Sequence, residues 1–236
     1  MAKTEFDTLP VHLGIIMDGN GRWAKKRGMP RTVGHKAGAE AMRKILRECR
    51  EIGIRYVTCY AFSTENWKRP KSEVDVLMRL FDEYLDEAHE RFDKSRLIFL
   101  GDKSPFSESL REKMIRLENE TAHIDGFTIF LAMNYGGRDE LVRAAKKLAQ
   151  RAAAGEISPE DIDEAAIERE LYTYPAPDCD LIIRTSGEQR LSNFLMWQGA
   201  YSELYFTDTL WPDFDTKALH AALEEYSKRQ RRFGAV

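Results

Sequence analysis

Three short polar segments hold most of the residues in this chain that could do chemistry. The first, DGNGR at 18 to 22, follows the apolar run HLGIIM and sets Asp18 beside Gly19, with Gly21 two residues further on. Glycines at such positions let backbone N–H groups come close to an anion. Arg22, Arg31 and His35 then add positive donors. A carboxylate among cations that bind a diphosphate makes most sense as a Mg²⁺ ligand. That hard ion uses one or two carboxylates and completes its shell with phosphate oxygens and water. The bland alternative is a tight turn carrying a solvated aspartate, and the surrounding cations weigh against it.

The second segment, STENWKRP at 63 to 70, contributes Ser63, Glu65, Asn66, Trp67 and Arg69, and Pro70 stops it from running directly into the next helix. Such a loop could close over a substrate. Trp67 suits a substrate contact and a ring capping the core edge equally well. Arg69 is an ordinary surface residue unless the first segment is its neighbour. The third segment, RTSGEQRLS at 184 to 192, sets Arg184 at the end of an apolar run, with Arg190 and Ser192 beyond a glycine turn. Two guanidiniums and a hydroxyl around a turn match bidentate phosphate recognition. The alternative is an arginine pair neutralised by Glu188. Glu203 opens the run ELYF. A carboxylate there is costly to bury unless paired or metal-bound, so Glu203 is the second metal-ligand candidate.

These residues must be positioned by a scaffold, and the hydrophobic pattern describes one. Short β-rich runs at 12 to 17, 56 to 62, 96 to 100, 127 to 133, 180 to 185 and 203 to 206 alternate with helical patterns at 35 to 52, 73 to 92, 105 to 122, 138 to 154, 163 to 171 and 216 to 231. Alternation of that kind predicts an α/β fold, a mostly parallel sheet of about six strands covered by helices. No linker or repeat divides the chain, so residues 1–236 read as one domain, with 1–10 as an N-terminal tail. Most strands run straight into a polar cluster, and in open α/β sheets ligands bind beyond the carboxyl ends of strands.

A formal net charge of -3 offers no overall basic field, so nucleic acid is not expected as a partner. Cys49, Cys59 and Cys179 are widely separated, which suits buried thiols in a reducing compartment rather than disulfides. No apolar run reaches the ~18 residues of a membrane span, and the N-terminus lacks a signal-peptide core. The expected location is cytoplasmic, with at most peripheral membrane contact. The basic stretch KRQRR at 228 to 232 reads as a solvated helix end. DEYLD at 82 to 86 lies on an amphipathic helix and reads as a solvated acidic face rather than a metal site. IMDGNG lacks the second aspartate of an aspartyl-phosphate loop, since Asn20 stands in its place.

With these segments in order, the chain resembles the cis-prenyltransferase family from about Pro10 to Phe233. The resemblance is carried by HLGIIMDGNGRWAKKRGMPRTVGHKAG, YAFSTENWKRP and DLIIRTSGEQRLSNFLMWQGAYSELYF. It implies a homodimeric enzyme that condenses isopentenyl diphosphate stepwise onto an allylic diphosphate such as farnesyl diphosphate. The product would be a long polyprenyl diphosphate, undecaprenyl diphosphate for cell-wall lipid carriers, grown in an apolar tunnel walled by helix 73 to 92 and the strand FTIFLAM. The resemblance assigns Asp18 as catalytic carboxylate and Mg²⁺ ligand, with Glu203 completing the metal site from near the partner subunit. It places the allylic diphosphate on Gly19, Asn20, Gly21, Arg22, Arg31, His35 and Arg69, shaped by Trp23 and Trp67 and by the loop residues Ser63, Thr64 and Glu65. Isopentenyl diphosphate falls to Arg184, Arg190, Leu191 and Ser192. Asn66 is implied as the proton acceptor, but an amide is too weakly basic for that alone and fits better as a positioning group. Gln189 departs from relatives that carry His there.

Overall fold

The computed structural model describes residues 6, 8–88, 92 and 94–229. The six apolar runs become β1 (His12–Ile16), β2 (Tyr56–Ser63), β3 (Arg96–Leu100), β4 (Thr128–Tyr135), β5 (Leu181–Arg184) and β6 (Glu203–Phe206). Every pairing is parallel, in the order β3-β4-β2-β1-β5-β6. β1 and β5 are buried throughout, as expected of strands covered on both faces.

Between the strands lie α1 (Asn20–Lys26), α2 (Arg31–Ile52), α3 (Lys71–Asp86), α4 (Glu108–Thr121), α5 (Gly137–Ala153) and α6 (Glu164–Glu170), and α7 (Thr216–Ser227) follows β6. Side-chain caps fix several starts. Ser107 accepts from the Leu110 N–H, Asp163 from Ala166 and Asp215 from Ala218. On one sheet face Leu13, Ile15, Val57, Leu131 and Ile183 pack with Ile45 of α2, Leu85 of α3, Met114 of α4 and Leu223 of α7. On the other, Ile16, Phe130, Ala132 and Ile182 pack with Phe194 and Leu195. The three cysteines are buried and free, and burial pushes the thiols of Cys59 and Cys179 up to about 12.

Two expectations need correction. The DGNGR segment is more than a glycine turn, because α1 begins within it at Asn20, immediately after Gly19 at φ 114°. The helix expected to reach residue 92 ends at Asp86, and residues 89–91 lie outside those described. Of the basic stretch at 228 to 232, only Lys228 and Arg229 are described, as are Phe6 and residues 8–10 of the N-terminal tail.

The chain leaves β1 toward β2 on one side and, after β4, returns to β5 on the other. Connections therefore diverge between β1 and β5. A crevice opens at the carboxyl ends of such a pair, and there the loops carrying Asp18 and Arg184 meet.

Candidate active site

Ile16 of β1 pairs with Arg184 of β5, so the segment carrying Asp18 emerges beside the Arg184 side chain. Asp18 Oδ2 lies 3.1 Å from Arg184 Nη2 and 3.2 Å from Arg22 Nη2. The Asp18 carbonyl accepts from the Thr185 hydroxyl at 2.6 Å and from the Trp211 N–H at 3.0 Å, which fixes the turn from behind. Burial alone would raise the Asp18 pKa. The Arg184 hydrogen bond and the charges of Arg22 and Arg184 outweigh it, and the carboxyl is held below its usual range. Asp18 is thus an ionised carboxylate, one third exposed, while the Arg184 side chain is only 5% exposed.

Each guanidinium near the crevice already has an acceptor. Arg184 donates through Nη1 to Ser192 Oγ at 2.7 Å and to the Arg190 carbonyl. Arg22 donates to the Ser186 hydroxyl and carbonyl and to Glu188. Arg190 also pairs with Glu188 and is largely exposed. Arg31 and Arg69 share Oε1 of Glu73, at 3.1 and 3.0 Å. Carboxylates thus stand at three points where phosphate oxygens could bind, and they hold the cations in place beforehand.

A cavity of about 290 Å³ opens here, and its lining changes character along its length. Asp18, Asn20, His35, Ser63, Asn66, Arg69, Arg184 and Ser192 contribute the polar part. Leu77, Leu80, Phe81 and Leu85 of α3, with Leu131 and Met133 of β4, contribute an apolar wall. Three lining residues keep a buried polar atom without a partner: Asn20 Oδ1, His35 Nε2 and Arg184 Nε. Buried polar atoms are nearly always satisfied, so these three suit this end to the polar groups of a ligand. Burial, followed by the charges of Arg69 and Arg31, lowers the His35 pKa to about 4, although Glu73 opposes them. The imidazole is neutral at pH 7.

Not every expected residue reaches the cavity. Trp67 donates Nε1–H to Asn134 Oδ1 at 2.8 Å and packs edge-on to Phe62, which makes it the ring at the core edge. Trp23 donates to Asp213 at 2.7 Å and lies under the Arg27 guanidinium, outside the lining. Gly19, Gly21, Arg22, Arg31, Thr64, Glu65, Arg190 and Leu191 are not among the lining residues, and Gln189 is exposed. Asn66 does line it, with its Oδ1 accepting from the Ser63 N–H at 3.2 Å. Asp82 and Asp86 of DEYLD grip Lys113 of α4 at 2.8 Å each, so that acidic face is half solvated and half a clamp between helices.

Glu203 is the largest departure. It pairs with Leu181, whereas Arg184 pairs with Phe206, so it lies three strand residues, about 10 Å, toward the opposite end of the sheet. Its carboxylate is paired with Arg229 at 2.8 Å. Within one chain, Glu203 and Asp18 do not converge. Residues that the sequence did not flag include Tyr60 in the lining, Thr185 behind Asp18, and Glu73. Only Glu73 had a signal, an acidic residue in the first turn of the helix that follows Arg69.

Residues 16–234 match the model of a protein family described as "Putative undecaprenyl diphosphate synthase". The chain belongs to this family. It is accordingly a prenyltransferase, and the relatives match it over more than nine tenths of their length. It is 47% identical over 236 residues to the isoprenyl transferase of Clostridium tetani, covering 99% of this chain and 92% of that protein. It is 50% identical over 230 residues to the isoprenyl transferase of Rhizobium meliloti, covering 97% and 93%. Among solved structures it resembles lavandulyl diphosphate synthase from Lavandula x intermedia in complex with dimethylallyl diphosphate, with TM-score 0.92, 39% identity and 96% and 98% of the two chains covered. It also resembles a "probable undecaprenyl diphosphate synthase" from Campylobacter jejuni, with TM-score 0.80, 37% identity and 97% and 99% covered. The family membership agrees with the six-stranded parallel sheet and with a cavity that is polar at one end and apolar along its wall.

Proposed function

We propose that this chain condenses isopentenyl diphosphate repeatedly onto an allylic diphosphate such as farnesyl diphosphate, giving undecaprenyl diphosphate. The observation that carries the reading is the lining of one cavity. An ionised carboxylate and the guanidiniums of Arg184 and Arg69 stand at one end, and an apolar wall continues from them.

In this reading Arg69, Arg31, His35 and the α1 start at Asn20 hold the allylic diphosphate, whose oxygens displace Glu73 from the two arginines. Arg184, Ser192 and Arg190 hold the isopentenyl diphosphate, for which Arg190 must leave Glu188. Asp18 lies between the two groups. The donor set suits a hard divalent ion held by one carboxylate and substrate oxygens. Among the described residues no group of three or more His, Cys, Asp or Glu could hold a metal without such help. A bound Mg²⁺ would neutralise charge on the departing diphosphate. Arg69 and Arg31 supply fixed positive charge beside the same oxygens, and the apolar wall keeps water from the allylic carbon. Asn66 orients a substrate or water through its amide.

The proposal extends to a homodimer. β6 is an edge strand whose Leu204, Tyr205 and Phe206 remain half-exposed, and Tyr201 just before it is 68% exposed. An exposed apolar strand edge is a template for pairing with another chain, and we assign this one to a second copy. Among the described residues no helix is long and apolar enough to cross a membrane. We assign the enzyme to the cytoplasm, with membrane contact only through its product.

Incubating the protein with farnesyl diphosphate, isopentenyl diphosphate and Mg²⁺ and reading the lipids by mass spectrometry tests the function. A ladder ending in one long polyprenyl diphosphate, absent with EDTA, is expected. Asp18→Ala should reduce turnover by at least the 10²- to 10³-fold, about 3 to 4 kcal/mol, typical of losing one charge-stabilising group, with circular dichroism unchanged. Turnover retained by that variant would overturn the role of Asp18.

A further inference from the structure

Asn193 follows Ser192 in the loop leaving β5 and stands in left-handed backbone, φ 64°. Asparagine tolerates that conformation better than most residues with side chains. Its polar groups go to two different elements. The carbonyl accepts the Gly137 N–H at 2.7 Å, and Oδ1 accepts the Arg138 N–H at 2.9 Å. Asn193 thereby satisfies two of the orphan donors at the start of the 17-residue helix α5. Nδ2 donates to Glu65 Oε1 at 3.1 Å. Glu65 lies in the 3₁₀ turn Thr64–Lys68, between the cavity-lining Ser63 and Asn66. A second tie runs alongside, from Thr64 Oγ1 to Asp139 Oδ2 at 3.4 Å. The junction is tight. A Cβ on Gly136 would lie 2.7 Å from Asn193 Nδ2, 2.8 Å from Asp139 Oδ2 and 2.9 Å from Thr64 Oγ1.

The turn at 64–68 belongs to the allylic side of the cavity and the loop ending at Ser192 to the other. The Asn193 side chain bonds across from one to the other, alongside the Tyr60 hydroxyl of β2, which donates to the Ser192 carbonyl at 3.3 Å. We infer that Asn193 is a positioning residue for the condensation, joining the two substrate loops over the α5 N-terminus and so setting the distance between the substrates. The inference rests on the prenyl-transfer reading above. Holding two reactants in a near-attack geometry acts on the chemical step, and a displacement of about 1 Å can cost on the order of 10²-fold in rate. Affinity for each substrate alone depends on the arginines and is left nearly untouched.

Asn193→Asp isolates the link. It keeps the Oδ acceptor at the helix N-terminus, where a carboxylate is favoured, but turns an acceptor toward Glu65. The expected result is a kcat lowered about tenfold, both KM values within about twofold of wild type, and an unchanged thermal midpoint. Adding Glu65→Gln restores a donor–acceptor pair with reversed polarity, and kcat should recover most of the loss. Amide hydrogen exchange over residues 63–68 should quicken in the single variant and slow again in the double. An unchanged kcat in Asn193→Asp, or a double variant no faster than the single one, overturns the inference. Were the wild-type protein itself inactive, the proposed function would fall, while the exchange experiment would still report whether Asn193 ties the turn down.

Discussion

Arg184 and Asp18 meet because residues 166 positions apart end adjacent parallel strands, and the energetics of the site follow from how little water reaches the pair. An ionised carboxylate beside a guanidinium that is nearly buried keeps its charge at any physiological pH. His35 behaves differently. In the unfolded chain its pKa is near 6.5, and in the folded protein burial and the two arginines bring it to about 4. Between these values the unfolded chain binds more protons, so stability falls as the pH drops from about 6.5 to about 4. Urea unfolding across that range should show wild type losing roughly 2 kcal/mol more than His35→Gln, whose side chain does not titrate. Parallel curves would mean that His35 is solvated. The arginines can be told apart kinetically. Arg190→Ala should raise the KM for isopentenyl diphosphate about tenfold more than that for the allylic substrate, the loss expected of a charge-assisted hydrogen bond. Steady-state titrations of each substrate check this, and equal rises would argue against separate pockets. The residues lining the polar end were legible in the sequence because charged types after apolar strands are informative. Trp67 was not, since a tryptophan in a polar loop looks the same whether it faces ligand or core.

The strands were legible almost to their ends and the helices to within about six residues, because strands covered on both faces read as continuous apolar runs and amphipathic helices as 3.6-residue periods. α1 was missed for a physical reason. It has only seven residues and starts at glycines, and it is held by packing on α2 rather than by its own propensity. Gly34 and Gly38 of α2 make that packing possible. A Cβ on Gly34 would lie 2.1 Å from the Asn20 carbonyl oxygen, and one on Gly38 would lie 2.2 Å from Asn20 Oδ1. Alanine in a helix interior normally gains about 1 kcal/mol over glycine. A contact of 2.1 Å to backbone leaves the neighbour nowhere to rotate, and overpacking costs about 1 to 3 kcal/mol, so the clash wins. Gly34→Ala should therefore lower the thermal midpoint and, by pushing α1 from α2, weaken allylic diphosphate binding. A more stable Gly34→Ala variant with wild-type kinetics would show that α1 adjusts freely.

At the scale of the whole molecule, strand order was invisible in the sequence, because alternation specifies a parallel sheet without saying which strands are neighbours. That order decides which polar segments converge. It gathers the carboxyl ends of β1, β2 and β5 around one cavity and leaves Glu203 at the other end of the sheet edge, paired with Arg229. A strand-opening glutamate looks alike in sequence whether an arginine or a metal neutralises it. If Glu203 contributes to the metal site, a second copy must bring it there, across the half-exposed edge that β6 presents. A mixing experiment separates that role from the local ion pair. Asp18→Ala and Glu203→Ala are each inactive in the trans arrangement, but a mixed dimer of the two contains one site with Asp18 from one chain and Glu203 from the other. Random exchange makes about half the dimers mixed, so activity should recover to about a quarter of the wild-type rate. No recovery between well-folded variants would leave Glu203 as the partner of Arg229 alone, and the metal to Asp18 and the substrate's own oxygens.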